Sequence, residues 1–422
     1  MARTGSMVVV VVLHWLFLRV TVVEGTMRSK PALAGPVVAL LTWVLMVLPL
    51  FFVAAGFAGT RVVDRLQGAE GWSYTDYLAP RLLRLVGPVL APVVVSLAVV
   101  VVVTISSSGT GARLTAVTGN HLWFMAVYLL CVVVGPSAVR VHDLAGWWVL
   151  PAVLLGGSLL VDLAWFSGSL GYEQARWPNL VLVWLFCHQL GVLHARGTVQ
   201  RLPTPVPVLL LLLAVLTLVV MVQLGPYAAT NVGMADRPVS NLTPPNSALS
   251  VVGVAQLAVL TLVGRAVGTR PPRPWVGTAT RWLGPRLLLV YLWHVPALGA
   301  VTFVGLLAPD VLLPAGTGVW LALRPFYLVL AVLLMGLVLV PVIAWERTVR
   351  SWKVSTSRPA VLTATVLGIA GTAIAWHAGI GPRPVPLVGV ACLVAAMVLL
   401  VERTTPDRVR RPDDTGDPAA VS

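Results

Sequence analysis

The chain has 422 residues, is 58% hydrophobic and only 10% charged, and has a mean hydropathy of +0.91. An ordinary soluble domain carries about 25% charged residues, so a compact soluble fold, which could not bury this much apolar sequence, is excluded. The net charge of +14 would suggest nucleic acid in a soluble chain; here the charges sit between apolar runs and point to membrane topology and anionic headgroups.

A helix that crosses a bilayer needs ~20 apolar residues. Lipid offers no hydrogen-bond partners, so spans are helices or closed-barrel strands. Runs such as Val206–Leu224 and Leu328–Ala344 are continuously apolar and lack the alternation of barrel strands. The expected fold is therefore all-α, a polytopic transmembrane helical bundle of about 10–12 spans. In chain order the spans are expected near residues 7–23, 37–58, 82–105, 121–138, 147–165, 179–195, 206–225, 249–268, 286–307, 325–345, 360–376 and 386–401. The first is read as a retained span rather than a cleaved signal, because no A-x-A site follows it and it contains His14. Cys131, Cys187 and Cys392 all fall inside spans, without metal-ligand spacing or a disulfide framework.

With both termini cytoplasmic, most of the 29 basic residues fall in cytoplasmic loops and tails. The opposite face receives Arg28, Lys30, Arg113, Arg176, Arg237 and Arg383, with Arg19 and Arg324 at span edges. This asymmetry fits the positive-inside rule. The longest external loop, 226–248, is rich in Pro and Asn, and its Asn241-Leu-Thr243 fits the glycosylation pattern. The polar, Pro-rich tail from Arg403 is expected to be disordered.

His14 stands in Val-rich sequence, where an ionisable group is costly and functional by default; the alternative is an interior His bonded to a neighbouring helix. Arg3 precedes it by eleven positions. At ~100° per residue that spacing returns almost to the same helix face, ~16 Å along the axis. An Arg at the cytoplasmic surface would then stand in line with a His near mid-membrane, an arrangement suited to a long ligand with an anionic head. Arg81 and Arg84 share a helix face at i, i+3, and paired guanidinium groups suit phosphates. For all three arginines the alternative is positive-inside anchoring. Further polar intrusions are Asn120-His121-Leu-Trp123-Phe124, Cys187-His188-Gln189 and Tyr291-Leu-Trp293-His294-Val-Pro296; each also reads as interfacial anchoring. Asp162 is expected to be wetted at an external span end, and His142, His194 and His377 to be minor. No P-loop, H-E-x-x-H or G-x-S-x-G occurs, which argues against an ATPase, a zinc protease and a lipase-like hydrolase.

In this order the segments resemble the acyltransferase-3 family of bacterial integral membrane O-acyltransferases. The carriers are Arg3-x10-His14, Phe51-Phe52-Val-Ala-Ala-Gly56-Phe57, Arg81-Leu-Leu-Arg84 with Pro88, His121-Leu-Trp123-Phe124 and Tyr291-Leu-Trp293-His294-Val-Pro296. Trp184-Leu-Phe-Cys-His188-Gln189-Leu-Gly191 and Pro244-Pro245-Asn246 are similar to one bacterial branch. Ala55 stands where the family has Ser, and its L-D-x-L stretch before the Arg has no counterpart, because the chain starts at Met1. The resemblance implies a transmembrane acyltransferase domain over 1–350, additional helices over 351–401, and a cytoplasmic tail over 402–422. It implies a multi-pass protein of the bacterial plasma membrane that transfers an acyl group, as in O-acetylation of cell-envelope glycans. The donor would be acyl-CoA as co-substrate, with no cofactor and no metal. The acceptor would be a carbohydrate or lipid-linked glycan, with membrane lipids and no nucleic acid as further partners. His14 would be the general base, which needs its imidazole neutral. Arg3, Arg81 and Arg84 would hold the donor's phosphates, and His121, Trp123, His188, Gln189 and His294 would line the acceptor site. A transporter or flippase for a glycan, lipid or small molecule is the rival reading, since twelve spans suit it equally; a non-catalytic family member is another.

Overall fold

The computed structural model describes every residue except 1, 24–25, 33, 170–172, 269–270, 272, 306, 309–311, 314–316 and 403–422. The predicted tail, and Arg270 of the predicted cytoplasmic loops, thus lie outside the described residues. Ten helical segments are long and apolar enough to cross a membrane, and two shorter apolar helices accompany them. Each coincides with one of the predicted spans, and the fold is an all-α bundle.

The elements are α1 Ala2–Phe17, a hairpin of β1 Leu18–Val23 and β2 Thr26–Pro31, α2 Pro36–Val44, α3 Leu48–Gln67, α4 Tyr74–Ser106, α5 Ser108–Val117, a 3-10 turn Asn120–Leu122, α6 Trp123–Ala145, α7 Val149–Phe166, α8 Pro178–Ala195, α9 Pro205–Gln223, α10 Ser247–Val267, α11 Pro274–Leu283, α12 Leu287–Gly305, α13 Thr317–Ser351, α14 Arg358–Ala378 and α15 Pro384–Leu400. The first span differs from expectation. It was predicted to reach residue 23, but the helix stops at Phe17 and the chain turns into the antiparallel hairpin. Val20-Thr21-Val22-Val23 is apolar and β-branched, so it satisfies a hydropathy window while favouring strand geometry.

Helix starts and breaks follow local chemistry. Ser73 caps α4 in a reciprocal box with Asp76, whose carboxylate accepts the Ser73 N–H at 2.7 Å. At ~1.5 Å per residue the 33 residues of α4 run about 50 Å, well beyond a hydrocarbon core of ~30 Å. The projecting end is covered by α5, with Gly111 packed directly on Thr104. Gly119, at φ +87, then turns the chain into the 3-10 turn and α6. A side chain at Gly119 would also collide with the Ala375 carbonyl of α14. The two final helices thus pack on the body of the bundle, α14 on α6 and α4 and α15 on α4.

Without water there is little hydrophobic drive between spans, and close approach of small residues becomes the main packing device. The crossing of α3 and α8 shows it. A Cβ built on Gly56 would lie 1.9 Å from the His188 carbonyl oxygen, and one on Gly191 would lie 2.0 Å from that of Val53. Gly371 of α14 meets Gly389 of α15 in the same way.

The charged ends of α3, α6 and α8 meet on one side. Arg196 donates to Asp64 at 2.7 Å and, through two bonds, to Asp143. Arg265 closes the same side by bonding the carbonyls of Val199, Gln200 and Leu202 in the α8–α9 turn. At the far side the 224–246 loop is tied down rather than free. Asp162 is buried, which corrects the expectation that it is wetted. Its carboxylate accepts from Asn179 at 2.7 Å, from Tyr227 at 3.0 Å, and from the backbone and hydroxyl of Ser247 at 2.9 and 2.6 Å. Two of these bonds place negative charge at the first turn of α10, where the helix dipole favours it. Burial pushes the Tyr227 phenol up to about 12, so it stays a donor to Asp162. Asn241, the glycosylation candidate, is fully buried and spends its amide on Ala228, Thr230 and Asn246, so it is no acceptor for a glycan. Asn231 reaches across to Thr42, and Trp43 donates to Ala229.

Candidate functional site

α1 lies against α3 and α12, with α13 beside it. This placement brings three of the motif histidines together. The His14 ring meets His294 edge-on at 4.9 Å, and His294 meets His121 at 5.9 Å. Trp15 donates its indole N–H to the His294 carbonyl at 2.9 Å, locking α1 to α12 beside the reactive rings. The Tyr291 hydroxyl donates to the His121 carbonyl. That bond satisfies a backbone group exposed by the break before α6, as a low-polarity interior demands.

Hydrogen bonding fixes the tautomers. His14 Nδ1 lies 2.8 Å from the Val10 carbonyl oxygen, which can only accept. In a neutral imidazole the proton is then on Nδ1 and the lone pair on Nε2. His294 is set the same way by the Tyr291 carbonyl, and its Nε2 is buried without a partner. The His121 ring is buried against the Leu292 backbone. His14 differs in one respect: its side chain remains exposed although α3 and α12 flank its helix. The arrangement offers a basic nitrogen on His14 with two further imidazoles beside it. Among the described residues no group of His, Cys, Asp or Glu is placed to hold a metal ion. Cys131 and Cys187 are buried free thiols.

An aromatic wall runs from this centre toward the arginines. Tyr291 packs on Phe124 at 4.8 Å, Phe124 on Phe51 at 4.9 Å, and Phe51 on Tyr128 at 5.8 Å. The Arg3 guanidinium stands 5.4 Å over the Phe51 ring, and its Nε is buried without a partner. Arg3 is thus partly buried, with its guanidinium against the wall. Arg81 lies over Tyr77 at 3.9 Å and donates to the Tyr77 carbonyl at 2.6 Å; Arg84, one turn on, is exposed. Among the described residues none of these three arginines has a carboxylate partner. Unneutralised guanidinium groups lining aromatic faces are ready anion ligands.

The remaining predicted residues lie elsewhere. Trp123 joins Trp184 at 5.9 Å, and Trp184 stacks on Phe52 at 4.9 Å, so these rings brace α3, α6 and α8. His188 is buried at the α3–α8 crossing, beside Gly59 and within reach of the Tyr77 level. Gln189 donates to His142, which is buried in the last turn of α6, at the span edge. Trp15 and Tyr128 carry no signal in the sequence, and Asp162 was expected to be wetted rather than part of the scaffold. The Phe-Phe pair before Gly56 was the one available signal for Phe51.

The comparisons with known proteins come down on the same segments. A family model for the acyltransferase-3 group, described as an acyltransferase domain, matches residues 1–345. No curated protein sequence matches. No solved structure matches.

Proposed function

The chain belongs to the acyltransferase-3 family, and from that membership and the arrangement around His14 we propose an O-acyl transfer in which His14 is the general base. The protein is a multi-pass membrane acyltransferase, which sets aside the transporter reading. The proposed donor is acyl-CoA from the cytoplasm and the proposed acceptor a hydroxyl of a carbohydrate or glycolipid of the cell envelope, in a bacterial plasma membrane with both termini inside. No cofactor or metal enters the proposed chemistry.

The observation that carries this reading is the His14 tautomer: Nδ1 is committed to Val10, which leaves the lone pair on Nε2. In the proposed step Nε2 takes the proton of the acceptor hydroxyl as its oxygen attacks the thioester carbonyl. The tetrahedral intermediate then expels the thiolate, and the imidazolium returns its proton to that sulfur, giving ester and free CoA. General-base assistance of this kind contributes ~10²–10⁴-fold. The donor's phosphates would sit at Arg3, Arg81 and Arg84, with the acyl arm along the Phe51–Phe124–Tyr291 wall toward His14. His121 and His294 would face the acceptor.

Mass spectrometry of envelope glycans tests the reading in a strain lacking other acyltransferases. Cells expressing the wild-type chain should carry the acyl mass increment, and His14→Ala cells should lose it at equal membrane abundance. Equal acylation in both strains refutes the assignment.

A further inference from the structure

Arg324 has no part in the chemistry above. It lies in α13, about 10 Å from the start of that helix. The helix has two sides. Leu321, Phe326 and Val329 are 48%, 73% and 60% exposed on the outside of the bundle, while Trp320 and Arg324 are 1% and 6% exposed. An arginine that merely anchors a span reaches outward to headgroups; this one is turned inward.

Its guanidinium is held between two aromatic rings, Trp320 at 4.0 Å and Tyr327 at 4.1 Å. Nε donates to the Trp320 carbonyl at 3.3 Å. Among the described residues the four terminal N–H groups have no acceptor and the charge has no carboxylate. One turn before it, the Trp320 indole N–H is also buried and unpartnered. The cage thus holds one buried, unpartnered donor, the Trp320 indole N–H, beside a positive charge that has no carboxylate among the described residues. Leaving a buried donor empty costs about 1–3 kcal/mol, and a guanidinium without a carboxylate seeks a counter-charge, so the cage suits something that supplies oxygen lone pairs and negative charge. A phosphate or phosphodiester does both, and the planar guanidinium binds such groups through two parallel bonds. α13 packs on α12 and on α1, the helices that carry His294 and His14. The far end of α13 is the one that packs beside Arg84, where Trp345 donates to the Gly87 carbonyl at 3.1 Å; Arg324 lies about 30 Å away along the helix, so this cation is separate from the Arg81–Arg84 pair.

We propose that the Trp320–Arg324–Tyr327 cage is a phosphate-binding site for the acceptor, and that the acceptor is consequently an anionic, phosphate-bearing molecule. This deepens the acyl-transfer reading and rests on it for the word acceptor; the binding site itself does not. The test uses the full chain in phosphatidylcholine nanodiscs. Binding of a polyprenyl phosphate, of inorganic phosphate and of the uncharged polyprenol is measured by native mass spectrometry and calorimetry. The wild type should bind a phosphate probe and not the prenol. Arg324→Gln should weaken it at least tenfold, Arg324→Lys and Trp320→Phe severalfold, while acyl-CoA binding stays unchanged in all three. Preference for the polyprenyl over the inorganic form identifies a lipid-linked source, and equal binding a soluble one. Unchanged phosphate binding in Arg324→Gln, or no phosphate binding by the wild type, overturns the proposal. So does strong coupling in a double-mutant cycle with Asp310→Asn, a position outside the described residues, because it would give the charge an internal partner. Trp320→Phe keeps an aromatic face but removes the indole N–H, and Arg324→Lys keeps the charge, so a fold defect in Arg324→Gln does not remove the test. If phosphate binds as expected while His14→Ala still transfers acyl groups, the base assignment fails and the phosphate site stands.

Discussion

Replacing Gly56 by alanine should separate α3 from α8. The added methyl would lie 1.9 Å from the His188 carbonyl oxygen and 3.2 Å from the Gly191 Cα. Ordinary contact begins near 3.4 Å, so the helices must part by about 1.5 Å at this point. Neither obstacle can rotate away, because both are backbone. Overpacking costs typically ~1–3 kcal/mol, and a backbone clash belongs at the upper end, about 3 kcal/mol. Gly59, on the same helix, supplies the control. Its methyl would meet nothing nearer than 3.8 Å, so Gly59→Ala should be neutral or stabilise by up to ~1 kcal/mol through helix propensity. The buried thiols Cys131 and Cys187 provide the assay, since a thiol-reactive dye labels them only as the bundle opens. A loss of ~3 kcal/mol corresponds to a melting shift of roughly 5 °C or more. Gly191→Ala should behave like Gly56→Ala. The double variant should be less than additive by ~1 kcal/mol, because one separation relieves both clashes. If Gly56→Ala and Gly59→Ala melt within about 1 °C of each other, the reasoning from close backbone approach is wrong.

Other consequences follow from the same contacts. Asp162→Ala removes the acceptor of four hydrogen bonds from Asn179, Tyr227 and Ser247; hydrogen exchange should rise sharply across 227–246 while α3 and α8 stay protected. Arg196→Ala should cost only ~1 kcal/mol, because its side chain is 26% exposed and its partners 31% and 42% exposed. Part of that loss should vanish at high salt. Arg81→Ala combined with Arg84→Ala should raise the donor KM about tenfold or more with little change in kcat, and an unaltered donor KM would remove the phosphate clamp.

Most of the architecture was legible in composition and hydropathy because membrane spans obey a length rule that acts locally. Each expected span has its helix, and the glycine and aromatic segments fall at crossings. What was not legible depended on contacts between distant positions. Asp162 reads as an exposed span end until Ser247 and Tyr227 fold back on it. Arg3 reads as a surface anchor, since nothing in the sequence reveals that Phe51 will lie beneath it. The end of α1 was misjudged because hydropathy does not separate an apolar strand from an apolar helix. Within the candidate site, His14, His121 and His294 share one centre, whereas Trp123, His188 and Gln189 belong to the α3–α6–α8 scaffold around it. Short motifs mark both kinds of position alike; only geometry sorts them.

The central claim is that Nε2 of His14 removes the acceptor proton. Its most direct test is single-turnover transfer from labelled acetyl-CoA to envelope glycolipid, with the full chain in nanodiscs. The account predicts that His14→Ala lowers the transfer rate by about 10²–10⁴-fold while acetyl-CoA binds as tightly as to the wild type. Transfer within about tenfold of the wild-type rate would contradict it.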